Sequence, residues 1–144
     1  MDKETLKIVL LSIGGTVVVF MVPVLLVLYG YRKYKEAGLR ALARIVQEAD
    51  AAAAGPPAQA PLVSFEFYTY QGFLNTTIQT RHAYQMPYEA ARETINKLHR
   101  YNLKWGLWGL GGAFIPFISM WNRWRQLRGI RGQLESQTGR KAFP

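Results

Sequence analysis

Ile8 to Tyr31, IVLLSIGGTVVVFMVPVLLVLYGY, runs for 24 residues without a charge, and no other stretch restricts the chain as much. A helix rises about 1.5 Å per residue, so about 20 apolar residues match a hydrocarbon core about 30 Å thick. Tyr29 and Tyr31 close the run where amphipathic aromatics favour a membrane–water boundary, and Arg32, Lys33 and Lys35 follow directly. The pattern predicts a transmembrane anchor. A cleaved signal peptide fits poorly, because the run is long for an h-region and Asp2 and Glu4 cancel Lys3 and Lys7 ahead of it. The basic cluster behind the run predicts a short outer N-terminus, residues 32–104 in the cytoplasm, and an integral protein of a bacterial inner membrane. Ser12, Gly14 and Gly15 offer a small-residue face to another helix.

Beyond Arg32 the period becomes that of an amphipathic helix. Leu39, Leu42, Ile45, Val46 and Ala49 repeat at helical spacing, with Glu36, Arg40, Arg44 and Glu48 on the other side. The anchor is expected to continue outward, or to resume after a bend near Gly38. Gly55 and the Pro56-Pro57 pair end the helix.

Residues 62–84 are rich in aromatic and β-branched types, and Val63, Phe65 and Phe67 alternate with Ser64, Glu66 and Tyr68. A β-hairpin turning at Gln71-Gly72 is expected, its second strand carrying Leu74, Ile78 and Tyr84 on one face and Asn75, Thr77, Gln79 and Arg81 on the other. Phe65, Phe67, Tyr68 and Tyr70 are its candidate protein-contact aromatics. Pro87 suits a helix start, Glu89 its first turn and Lys97, His99 and Arg100 its last, with Ala91, Ile95 and Leu98 as the inward stripe and Asn102 as the stop.

Trp105 to Asn122 is again uncharged, but it contains Gly106, Gly109, Gly111, Gly112 and Pro116, and Arg123, Arg125, Arg128 and Arg131 follow it. A simple crossing would carry those arginines to the outer side against the positive-inside bias. Three placements stay open: re-entrant or interfacial with both ends on one side, spanning with a Gly109–Ala113 contact face, or buried in a small soluble core.

The expected fold class is a membrane α+β protein. One N-terminal transmembrane helix continues into an amphipathic helix, followed by a small hairpin-plus-helix module and a second hydrophobic Gly/Pro-containing segment. The boundaries are 1–31 for the outer N-terminus and anchor, 32–54 for the juxtamembrane helix and 55–61 for an Ala/Pro linker. The module is 62–102, the second hydrophobic segment 103–122 and the basic tail 123–144.

Function is less constrained. The net charge of +9 rests on 18 Lys+Arg against 9 Asp+Glu, and there is no cysteine, which excludes thiolate chemistry and Cys-ligated metals. His82 and His99 belong to no metal or nucleophile motif, so no enzyme, cofactor or metal site is expected. Nucleic acid is disfavoured as a partner because residues 62–80 carry no Lys or Arg among their aromatics. Membrane lipids are the simpler partner of the cations. Tyr29, Tyr31, Arg32, Lys33, Lys35, Lys104, Trp105, Trp121, Arg123, Trp124, Arg125 and Arg128 are the candidate interface or anionic-lipid contacts. The expected role is an accessory, structural or assembly subunit packing against a larger membrane protein complex. The alternative is a membrane-tethered binding module for an anionic ligand, acidic lipid headgroups ahead of nucleic acid.

Overall fold

The computed structural model describes residues 2–55, 60–73, 76–106 and 112–139, side-chain surroundings excepted at positions 6, 8–14, 16–17, 73 and 76. In chain order the elements are helix α1 (Lys3–Ala54), strands β1 (Leu62–Phe73) and β2 (Thr76–Pro87), helix α2 (Tyr88–Trp105), a short 3-10 turn (Gly112–Phe114) and helix α3 (Ile115–Thr138). The chain divides into two compact units, residues 1–37 and residues 38–144.

The expected membrane fold class is corrected. The fold is α+β with a long helix and a two-stranded sheet, and among the described residues no helix is long and apolar enough to cross a membrane. The apolar stretch belongs to one 52-residue helix, α1, which runs on without a break into the charged, amphipathic turns that begin at Arg32, Lys33 and Lys35. The second hydrophobic segment is no single helix. Its start belongs to the last turn of α2, and its end opens α3 at Ile115, with Pro116 in the first turn where its missing N–H costs nothing.

The second unit is built on the hairpin. β1 and β2 pair antiparallel from Leu62 opposite Pro87 to Phe73 opposite Thr76. The expected turn at Gln71-Gly72 is corrected: both residues lie within β1, opposite Ile78 and Thr77, and the assignments of Leu74 and Asn75 lie outside the described residues. Alternation along β1 is as expected: Val63, Phe65, Phe67, Thr69 and Gln71 are buried, while Leu62, Ser64, Glu66, Tyr68 and Tyr70 are not. The core joins Val63, Phe65, Phe67 and Met86 of the sheet to Ala91, Ile95 and Leu98 of α2, Ile130 of α3 and Ala49 of α1. Leu42, Ile45 and Ala52 pack at its margin, so the amphipathic stripe after Gly38 finds its cover on the sheet. Lys97 reaches both Glu48 (2.8 Å) and Glu93 (2.7 Å), which draw its ammonium pKa upward.

Two glycines hold close approaches. A Cβ on Gly38 would lie 2.5 Å from Gln71 Nε2 and 3.2 Å from Trp105 Cε3. One on Gly106 would lie 2.6 Å from the Asn102 carbonyl oxygen and 2.6 Å from Ile115 Cγ2. Gly106 closes α2, its N–H donating to that carbonyl at 2.9 Å.

Candidate functional site

Helix α3 carries the features that distinguish this module, and it does so on two opposite faces. A strand at the edge of a sheet leaves every second residue's N–H and C=O unpaired, which invites pairing with another chain. On β1 these are the even-numbered residues. α3 lies against them and answers with side-chain amides. Gln137 Nε2 donates to the Leu62 carbonyl at 3.0 Å, and Gln126 Oε1 accepts the Glu66 N–H at 3.3 Å. Gln133 both accepts the Ser64 N–H at 2.7 Å and donates to the Ser64 carbonyl at 2.8 Å.

Asn102 of α2 completes the series from inside the fold. It is fully buried, its Oδ1 accepts the Tyr70 N–H at 2.7 Å, and its Nδ2 donates to the Tyr68 carbonyl at 2.8 Å. The same Nδ2 lies 3.2 Å from Ser119 Oγ, and Ser119 Oγ lies 2.8 Å from His99 Nδ1. A serine beside a histidine has the form of a nucleophile with its base. Ser119, however, is completely buried and is already engaged by Asn102, so no substrate reaches it. The trio instead pins α2 to α3 and to β1. Burial, and then the Arg123 guanidinium, push the His99 pKa down; the hydrogen bond with Ser119 opposes them. Arg123 is itself held by Asn96 Oδ1 at 2.8 Å.

His82 is likewise committed within the fold: its Nε2 lies 2.9 Å from Thr69 Oγ1, and its ring is parallel to that of Tyr84 at 6.4 Å. Burial lowers its pKa, partly offset by Asp50. On the less buried side of the sheet, Tyr68 donates to Glu66 and Arg81 pairs with the same carboxylate at 2.7 Å, and these hydrogen bonds hold the Glu66 pKa down. Among the described residues no cluster of His, Asp and Glu could hold a metal ion.

The outward face of α3 is different in kind. Phe117, Trp121, Trp124 and Arg128 recur at spacings of 4, 3 and 4, which places them on one side of the helix. Phe117 is 66 % exposed, Trp121 61 % and Trp124 50 %. The two indoles sit 5.2 Å apart, and the Arg128 guanidinium lies 5.4 Å from the Trp124 ring. A groove of about 660 Å³ beside them is lined by Met120, Arg123, Leu127 and Arg131 among others.

The residues singled out in the sequence thus separate. Trp121, Arg123, Trp124, Arg125 and Arg128 come together on α3, with Arg123 turned toward α2. Tyr29, Tyr31, Arg32, Lys33 and Lys35 belong to the first unit, where Arg32 pairs with Glu36 at 3.0 Å and Lys33 lies 5.6 Å from the Tyr29 ring. Trp105 is buried at the end of α2, so it is not a surface anchor, and Lys104 sits 5.3 Å from its ring. Phe65 and Phe67 are spent in the core, whereas Tyr68 and Tyr70 are half-buried beside α3. Gly15 and Ala113 are exposed; the side chain of Ser12, the surroundings of Gly14 and all of Gly109 lie outside the described residues.

The glutamines of α3 and the Asn102–Ser119–His99 trio escaped the sequence reading. Gln126, Gln133 and Gln137, seven and four apart and in phase with Ile115, Ser119 and Ile130, were the signal. Comparison of the chain with protein-family models, with curated proteins and with solved structures finds no match.

Proposed function

We propose that the chain is a non-catalytic accessory or assembly subunit that packs against a larger protein complex at a membrane. The observation that carries this reading is the stretch Val18–Tyr29. Its apolar side chains are accessible at consecutive positions all round the helix, from 46 % for Val22 to 69 % for Phe20. A helix apolar on every side belongs in an apolar environment, and a continuous exposed apolar surface marks an interaction site. Lateral contact with the apolar flank of a larger complex covers these side chains.

The second unit supports a structural role rather than a chemical one. Its buried polar groups are used to join helices to the sheet, and both histidines hydrogen-bond to hydroxyls of the fold. Mild-detergent extraction from native membranes followed by sizing tests the reading. Migration with a large complex that survives high salt supports it, and a lone monomer overturns it.

A further inference from the structure

We propose that the outward face of α3 docks the second unit onto an anionic bilayer surface. The proposal rests on the reading of the chain as membrane-associated and names a contact that reading leaves open.

Among the described residues the inward face of α3 packs on the core and on the β1 edge, which leaves its outward face for a partner. That face is ordered along its axis. Phe117 and Trp121 come first, with Ile118 and Met120 exposed beside them; Trp124 follows, and then Arg125, Arg128 and Arg131. From Trp121 to Arg128 is seven residues, about 10 Å of helix at about 1.5 Å per residue. This matches the passage from the acyl boundary, into which amphipathic helices sink about 5–10 Å, to the phosphate level.

Tryptophan carries an apolar body and a donor edge, which suits the headgroup region better than either pure water or pure hydrocarbon. Charge selects the occupant. Between Ile115 and Thr138 there are four arginines and a single acid, Glu135. An apolar protein groove that accepted Trp121 and Trp124 would have to bury Arg128 with them, since its guanidinium lies over the Trp124 ring. A bilayer rich in anionic lipid accepts both at once, the rings below and the guanidinium groups among the phosphates.

The test uses the full-length chain with vesicles of phosphatidylcholine alone or with added phosphatidylglycerol, both brominated in the acyl chains. Flotation reports whether the chain is on the vesicle; quenching of tryptophan emission reports whether α3 is. A W121F/W124F variant gives the background from the remaining tryptophans. In phosphatidylglycerol vesicles the expected result is quenching of the Trp121 and Trp124 emission that high salt reverses. Neutralising Arg125, Arg128 and Arg131 to Gln weakens this seating roughly five-fold per arginine. These side chains point away from the core, and an unchanged circular dichroism spectrum verifies the fold.

Flotation without quenching, or quenching equal in both vesicle types and indifferent to the Arg→Gln changes, overturns the proposal while leaving membrane association standing. Absence of flotation from both vesicle types overturns the proposal and the membrane-associated reading together.

Discussion

Gln133 meets Ser64 as a neighbouring β-strand would, accepting its N–H at 2.7 Å and donating to its carbonyl at 2.8 Å. A side-chain amide has the same donor and acceptor as a peptide group, so a helix can close a sheet edge without supplying a strand. Both partners are exposed, and water replaces part of what is lost on truncation. Gln133→Ala is therefore expected to cost about 1 kcal/mol in urea unfolding and to speed hydrogen exchange at the Ser64 amide. Removing Gln126, Gln133 and Gln137 together reopens the edge, and the expected readout is concentration-dependent association of the triple alanine variant by light scattering.

Asn102 does the same work without water. Its truncation leaves the Tyr70 N–H and the Tyr68 carbonyl without their partner in the interior. Asn102→Ala is expected to destabilise by about 1–3 kcal/mol, more than any single glutamine change on α3. Denaturant titration of the two variants side by side checks the order.

Gly38 faces the Gln71 amide too closely for a side chain. Gln71 is only 8 % exposed, so its amide has little room to withdraw. Gly38→Ala is expected to cost about 1–3 kcal/mol through overpacking. The Gly38→Ala, Gln71→Ala double variant should lose less than the sum of the two singles, because removing the amide removes the clash. A double-mutant cycle measures that coupling.

Both histidines hold pKa values below the ordinary one, chiefly through burial. The unfolded chain therefore binds a proton more readily than the native one. Stability is full above the ordinary histidine value of about 6.5 and falls as pH drops through it toward the depressed native values. The facing charges are Asp50 for His82 and Arg123 for His99. Unfolding midpoints at mildly acidic and mildly alkaline pH should differ in that direction, and a His82→Gln, His99→Gln double variant should flatten the dependence.

The sequence carried the hairpin and the helix after it plainly, because the alternation of Val63, Phe65 and Phe67 and the stripe of Ala91, Ile95 and Leu98 mark buried faces. It carried the end of α1 at Gly55 for the same kind of reason. It hid α3, since four arginines after Trp121 read as a basic tail, although Arg125, Arg128 and Arg131 lie on or beside the face turned away from Ile130 and the glutamines and Arg123 turns to Asn96 of α2. A charge-free run says that side chains need cover, and among the described residues no helix is long and apolar enough to cross a bilayer. Polar contacts such as Asn102 with Ser119 join residues 17 positions apart, and only the packing of α2 on α3 shows that they meet.

On the proposed function, Val18–Tyr29 is covered by a larger complex. The most direct measurement is the size of the chain extracted from native membranes in mild detergent, compared with a Val19→Lys, Leu26→Lys variant. The native chain, 16.4 kDa by itself, is expected to migrate in a salt-resistant assembly many times that mass, and the variant to be released from it. A native chain that migrates as a monomer, or a variant that stays in the same assembly, would contradict that proposal.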